Sequence, residues 1–159
     1  MGGGAHMSRR EQIRMSEDEI RAFLDEQRTM AVATIGRDGF AHVVAMWYVV
    51  LDGKPAFWTY GKSQKIVNLR RDPKVTCLVE TGEAYNELRG VQIKGRAALI
   101  EDPDAVLRLG ETIWERYAGG PLNDAMRQMV AAQAKKRVGV IVEPVEVATW
   151  DHGKLGGAY

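Results

Sequence analysis

Intramolecular disulfide bonding is excluded at once, because the 159 residues hold a single cysteine, Cys77, and a lone thiol has no partner within its own chain. Cys77 lies in the apolar run Val75-Thr76-Cys77-Leu78-Val79 and reads as a small buried residue. Histidine is almost as scarce, with three residues. His6 belongs to the opening Met1-Gly2-Gly3-Gly4-Ala5-His6, which reads as an expression-tag remnant ahead of a natural start at Met7. His42 sits in an apolar stretch and reads as a satisfied barrel residue rather than a base, and His152 lies in a glycine-rich tail. No His-Glu-x-x-His pattern, cysteine pair or carboxylate cluster has metal-ligand spacing, so no metal site is expected. Nothing marks a nucleophile either, so no catalytic residue is named. No apolar run approaches the roughly 18 residues of a membrane span and no secretion signal is visible, which predicts a cytoplasmic protein. An excess of either charge is missing too: Lys plus Arg is 22 and Asp plus Glu is 21, for a net charge of +1. That balance argues against a dedicated nucleic-acid binder.

Against this evenness, residues 58–74 stand out. They gather Lys62, Lys65, Arg70, Arg71 and Lys74 against the single Asp72. A strand rich in aromatic and β-branched residues (55–60) stops at Gly61, and a helix begins at Ser63, whose hydroxyl suits an N-cap. Pro73 ends that helix by pushing Asp72 out of the helical region. Lys62 and Lys65 sit beside the helix N-terminus, whose partial positive charge disfavours cations by roughly a few tenths of a kcal/mol each. Free N–H groups, a serine hydroxyl and two lysines converging on one point are what a phosphate needs. A solvated basic loop is the alternative. The pattern is neither a Walker loop nor a dinucleotide fingerprint.

The rest of the chain frames this segment. Ser16 and Glu19 form a capping box ahead of Ile20, Phe23 and Leu24, predicting a helix over 16–27 with Glu19 reaching back to its cap. Strands are expected over 29–35, 40–51 and 55–60, joined by Asp38-Gly39 and Asp52-Gly53, both strong hairpin signals. A fourth strand covers 74–80, a polar loop carrying Tyr85 follows, and a fifth covers 88–100 with Gly90 and Gly95 as bulge points. Asp102-Pro103 opens a helix with Val106, Leu109, Ile113 and Tyr117 along one face. A second helix carries Met126, Met129 and Val130, packing residues or a cofactor wall, and ends in Lys135-Lys136-Arg137. The last strand, 138–150, contains Pro144, which implies an edge or a bulge. The tail 151–159 is expected to be irregular. No helix separates the first three strands, so a doubly wound sheet is excluded. Six long strands with few free edges favour a small closed or split barrel, mainly β with flanking helices, in one domain over 7–159.

Met46, Trp47 and Tyr48 would approach Trp58 and Tyr60 if the hairpin pairs around Asp52-Gly53. Such a patch could hold a flat ring system, or be an ordinary aromatic core. A cofactor that brings its own redox chemistry would match the shortage of acid–base residues.

Two segments carry a resemblance. They are Asn68-Leu69-Arg70-Arg71-Asp72-Pro73 with the lysines before it, and the ending Trp150-Asp151-His152-Gly153-Lys154-Leu155-Gly156-Gly157-Ala158-Tyr159. Over residues 14–159 the chain resembles the pyridoxamine 5′-phosphate oxidase-like superfamily, whose fold is a six-stranded antiparallel split β-barrel of the FMN-binding-protein type. Within it the likeness is to actinobacterial enzymes of the deazaflavin coenzyme F-420. The resemblance implies a homodimer with two cofactor sites at the interface and a small-molecule substrate. It implies that Lys65 contacts the cofactor phosphate, with Lys62 and Ser63 on the same loop. It further implies that Val44, Ala45, Met46, Trp47, Trp58 and Thr59 line the channel for the ring and its ribityl chain. Pyridoxamine-phosphate oxidases end in an Arg-Leu-x-Pro pattern, where this chain has Lys154-Leu155-Gly156-Gly157, so that activity is not expected. The expected function is hydride transfer between reduced F-420 and a conjugated substrate, an enone or a quinone. Arg70, Arg71 or Lys74 would rim the site for the coenzyme's glutamyl tail. The alternatives are an FMN-dependent reductase or oxidase of the same fold, and a protein that binds a deazaflavin or lipophilic ligand without turnover.

Overall fold

The computed structural model describes residues 7–157; the tag-like residues 1–6 and the last two positions of the tail lie outside the described residues. Seven strands form one sheet: β1 (Met30–Ile35), β2 (Ala41–Met46), β3 (Val49–Leu51), β4 (Lys54–Tyr60), β5 (Lys74–Thr81), β6 (Arg89–Ile100) and β7 (Arg137–Asp151). Their order is β2-β1-β5-β6-β7-β4-β3, and the pairings are antiparallel. The predicted turns form as their chemistry requires. Asp52 and Gly53 take φ of 50° and 77°, the left-handed pair of a tight hairpin turn. Pro144 faces Gly95 where the β6–β7 register shifts at Lys94/Gly95, so the proline that cannot donate to a ladder sits at a bulge.

Side chains alternate across a strand, and one set builds the core. Met30 and Val32 of β1, Val75, Cys77 and Val79 of β5, Val91 and Ile93 of β6, Val140 and Val142 of β7, and Phe57 of β4 share one buried cluster. The sheet curls around them as a half-barrel. Helix α2 (Glu17–Glu26) plugs it with Phe23 and Leu24, and α3 (Gln64–Arg71) with Ile66 and Leu69. Each such side chain contributes about 1.5–3 kcal/mol of burial. Burial also pushes the Cys77 thiol up to about 12, which leaves it inert at neutral pH.

The opposite face of β3 and β4 carries Val49, Ala56 and Trp58 into a second cluster. Helices α4 (Pro103–Ala118) and α5 (Asp124–Ala134) cover it with Val106, Leu109, Ile113 and Val130. Asp102 caps α4 by accepting the Ala105 N–H at 3.0 Å, with Pro103 in the first turn. Gly110 is where α4 meets the sheet: a Cβ there would lie 2.3 Å from the Trp58 ring.

Four expectations are corrected. The predicted second strand (40–51) is broken at Trp47-Tyr48 into β2 and β3, which makes seven strands rather than six. The cause is remote in sequence. The Tyr117 hydroxyl accepts the Tyr48 N–H at 2.9 Å and donates to the Arg28 carbonyl at 2.7 Å. The Arg116 guanidinium donates to the carbonyls of Tyr48, Leu24, Asp25 and Gln27. It also lies 4.6 Å over the Tyr48 ring. These bonds take the main-chain groups that a continuous strand would spend on its neighbour.

Glu19 puts Lys154 ahead of its cap: the Ser16 N–H and hydroxyl are only its weakest contacts, and no full capping box closes there. Ser16 accepts the Glu19 N–H at 3.2 Å, but the Glu19 carboxylate turns to Lys154 at 2.6 Å, which holds it below the usual carboxylate range. The capping box instead closes at Ser8 and Glu11, around the short helix α1 (Arg9–Gln12). The tail is not irregular over its described part either. β7 runs to Asp151 and a 3₁₀ turn follows at His152–Leu155. That turn is held by Lys154 on the Arg14 carbonyl and by a 2.9 Å contact of His152 Nδ1 with the Tyr85 carbonyl. The polar loop before β6 likewise contains a 3₁₀ turn, Tyr85–Glu87.

Replacing Arg116 by Met leaves several carbonyls of the α2 end and of Tyr48 without their donor, which is expected to cost about 3 kcal/mol. Chemical denaturation checks this through the unfolding midpoint. Arg116→Lys, which keeps the charge but loses the planar fork, should fall between the two. A variant as stable as the parent would show that the knot is ornamental.

Candidate functional site

The loop from β4 into α3 collects the uncommitted polar groups. Thr59 is the last buried residue of β4, and its hydroxyl lies 3.5 Å from that of Ser63. Ser63 occupies the N-cap position in extended backbone, but its side chain makes no capping hydrogen bond, contrary to expectation. The first-turn N–H groups of α3 have no partner within the helix, and the hydroxyl that would satisfy one accepts from Thr59 instead. Lys62 is exposed and Lys65 half-buried. Burial, and then the nearby Arg137 guanidinium, push the Lys65 ammonium below its ordinary range.

Arg137 escapes the sequence reading, where it looks like the basic end of a helix. In the sheet it is the first residue of β7 and pairs with Tyr60. Its guanidinium lies 4.5 Å from the Tyr60 ring and 4.9 Å from the Trp58 ring. Its Nε is shut off from solvent and has no hydrogen-bond partner. Among the described residues, no carboxylate lies within ion-pair distance of Lys62, Lys65 or Arg137. Knowing that β4 and β7 pair would have exposed Arg137; sequence alone does not carry that pairing.

The remaining predicted residues are placed differently. Trp58 is only 5% exposed, with its ring packed on Gly110 of α4, so it belongs to the second core. Val44 and Met46 are half-buried on β2, and Ala45 faces out between them. Trp47 stacks on Tyr117 at 4.3 Å and 11°, meets Trp114 edge-on at 5.4 Å, and stays 46% exposed. β2 and β4 stand far apart in the strand order, so no ladder joins residues 44–47 to the Lys62–Lys65 corner. The hairpin around Asp52-Gly53 pairs only from Val49↔Ala56 to Leu51↔Lys54, and beyond it β4 turns to β7. That is why the expected aromatic patch does not assemble.

The Asn68–Pro73 segment is spent on docking α3. Asn68 is fully buried, donates to the Thr34 hydroxyl at 3.0 Å and accepts from Gln64 at 2.8 Å. Arg70 is ion-paired with Glu101, and Arg71 donates to the Ile35 carbonyl. Both are therefore withdrawn from the expected rim for an anionic tail. Lys74 instead lines a groove of about 350 Å³ with Thr76, Lys94 and Arg96. A larger groove, about 1180 Å³, lies between α2 and the 52–53 turn, with Glu17, Asp18, Asp25 and Asp52 on its rim.

Known proteins share this architecture. A sequence profile described as pyridoxamine 5′-phosphate oxidase matches residues 16–151. The conserved hypothetical protein Rv2991 from Mycobacterium tuberculosis superposes with a TM-score of 0.88 at 47% identity, covering 96% of this chain and 95% of that one. An F-420 reductase superposes with a TM-score of 0.64 at 25% identity, covering 80% of this chain and 94% of that one. HutZ, the heme storage protein from Vibrio cholerae, has a TM-score of 0.62 at 17% identity, covering 84% and 94%, and shows the fold alone. Among curated protein sequences, none matches the chain.

The unpaired corner has a measurable signature without ligand. Lys65→Met removes a strained cation, so its thermal midpoint at pH 7 should equal or exceed that of the parent. The lowered native pKa means the unfolded chain binds more protons. The parent's penalty is therefore full at pH 7 and fades as pH rises through the native value towards the ordinary 10.5, narrowing the gap. A clear drop in midpoint at pH 7 would mean that Lys65 has a stabilising partner.

Proposed function

The chain belongs to the pyridoxamine 5′-phosphate oxidase family, and from that premise we propose that it is an oxidoreductase of the deazaflavin coenzyme F-420. The observation that carries the proposal is the Lys62–Ser63–Lys65 corner, where cations, a hydroxyl not spent on the helix cap and helix N–H groups lie together, among the described residues, with no carboxylate to balance them. These groups fit a phosphate, and Lys62, Ser63 and Lys65 would hold it. When bound, the reduced deazaflavin supplies a hydride to an electrophilic carbon of an enone or quinone. The chain's own work is to anchor, orient and exclude water. Met46 and Trp47 would bear on the ring. Trp47 is suited to this because its other face is already fixed by Tyr117. No side chain is assigned as the proton donor. The likeness to an F-420 reductase at 25% identity supports the deazaflavin over FMN.

No ladder joins residues 44–47 to the basic corner, and the homodimer that the resemblance implies would let each copy give one half of the site. The outward face of β2 and its approach supports such pairing. Phe40 and Val43 are 76% and 58% exposed, beside exposed Ala41 and Ala45. An apolar strip of this kind on an edge strand asks for a cover.

Fluorescence titration with oxidised F-420, and separately with FMN, tests the cofactor. Binding of F-420 at micromolar or tighter affinity is expected, weakened about tenfold by Lys65→Ala, the worth of one charge-assisted contact. Preference for FMN would transfer the reading to a flavin enzyme, and tight F-420 binding with no hydride transfer to any enone or quinone would leave a carrier. For the pairing, Val43→Arg should shift the mass measured by light scattering from two copies to one. An unchanged mass would clear that face of the role.

A further inference from the structure

His42 is expected from the sequence to be a satisfied barrel residue, yet its Nδ1 is closed off from solvent and has no hydrogen-bond partner. The residue pairs with Thr34 across the β1–β2 ladder, on the half-buried face of β2. Thr34 is 1% exposed, and its hydroxyl accepts the Asn68 side-chain N–H at 3.0 Å. The Asn68 side-chain oxygen then accepts from Gln64 at 2.8 Å and from Arg71 at 3.3 Å. This buried chain leaves two groups over. A hydroxyl that accepts one bond still has a hydrogen to donate, and among the described residues no acceptor takes that of Thr34. Nδ1 lacks a donor, and side chains directly opposite in an antiparallel pair lie about 4.5–5.5 Å apart at Cβ. A buried donor and a buried acceptor left over side by side are a costly state that a single bond removes. The other ring nitrogen, Nε2, is unbonded but not closed off from solvent.

We propose that His42 is a binding residue of the site, a neutral donor whose Nε2–H bonds an oxygen of the ligand anchored at the Lys62–Ser63–Lys65 corner. The inference rests on reading that corner as the phosphate anchor of the cofactor. Thr34 is its positioning residue. The hydrogen bond at one imidazole nitrogen decides where the proton sits on the other. With the Thr34 hydroxyl on Nδ1, that nitrogen is an acceptor and the proton is carried by Nε2, on the open side of the ring. The chain of hydrogen bonds also ties the ring to the corner. Thr34 meets Asn68, Asn68 meets Gln64, and Gln64 lies between Ser63 and Lys65 at the start of α3. A neutral, directional donor complements the two lysines, which act as point charges. Simple packing of His42 would require neither an open Nε2 nor a leftover pair at Nδ1.

The test uses the whole chain carrying isotope-labelled histidine, with oxidised F-420 and FMN as separate probes, since each brings a phosphate on a hydroxylated chain. The His42 resonances are those lost in His42→Phe. In the parent the neutral imidazole should hold its proton on Nε2. Thr34→Val should abolish that preference, an effect that lost packing alone does not produce. Binding of a probe should move the Nε2 resonance. His42→Phe should weaken the probe about tenfold, the worth of one hydrogen bond in a closed site. His42→Gln, which keeps a donor, should recover part of the loss. A proton on Nδ1 in the parent overturns the assignment. So does a probe that binds the parent and His42→Phe alike, and the phosphate anchor then stands without His42. If FMN binds and moves Nε2 while F-420 does not bind, the assignment stands and the deazaflavin reading falls. If neither probe binds the parent, the anchor and the assignment fall together.

Discussion

Carbonyl oxygens from the end of α2 and from the β2–β3 break converge on the Arg116 guanidinium. Without that convergence, Trp47 and Tyr48 would have no reason to leave the ladder. A straight strand over 40–51 would carry the β3–β4 hairpin on along the line of β2. Instead the chain turns inward at Tyr48, which is fully buried, with its hydroxyl on the Leu24 carbonyl. Burial pushes the Tyr48 phenol up, and Arg116 partly opposes this, so it remains a neutral donor through the physiological range. The half-barrel, its α2 plug and the α4 cover are joined through this one polar contact, set inside otherwise apolar packing. A fully satisfied polar cluster of this kind fixes one geometry where apolar packing alone would tolerate several.

The basic corner has the opposite character. Its cations are held by backbone and rings, and no carboxylate compensates them. Two neighbouring arginines, Arg70 and Arg71, show what compensation looks like, one on Glu101 and the other on a carbonyl. The two ends of the same helix thus differ in what they do. The C-terminal half fastens α3 to β1 and to the end of β6, and the N-terminal half stays electrostatically incomplete. Local strain of this sort is what a binding site stores, at a cost offset by the packing of Ile66, Leu69 and Asn68 beneath it.

Local chemistry was legible in the sequence, and pairing at a distance was not. Asp52-Gly53 names its turn because only certain residues tolerate positive φ. Pro144 declares a bulge because it has no N–H. Lys62 and Lys65 stood out because their charge breaks a helix rule. The β2–β3 break was hidden, since its cause lies in residues 116–117. Arg137 was hidden for the same reason, its meaning depending on strand β4. Strand alternation says that Trp58 faces one side of β4, and not which of two cores that side meets. Glu19 misled because a capping pattern cannot anticipate Lys154 arriving from the far end of the chain.

Strand β7 lies between β6 and β4 in the sheet, yet it is the last strand to leave the ribosome. Until it is present the nascent chain holds two fragments, β2-β1-β5-β6 and the β4-β3 hairpin, each with an open edge. A single insertion joins them, pairing with β6 along Arg89↔Asp151 to Ile100↔Gly139 and with β4 along Ala56↔Ile141 to Tyr60↔Arg137. Such late, non-local closure makes folding slow, with exposed edges vulnerable to self-association in the interval. The basic corner is completed at the same moment, because Arg137 arrives beside Tyr60 only with this strand.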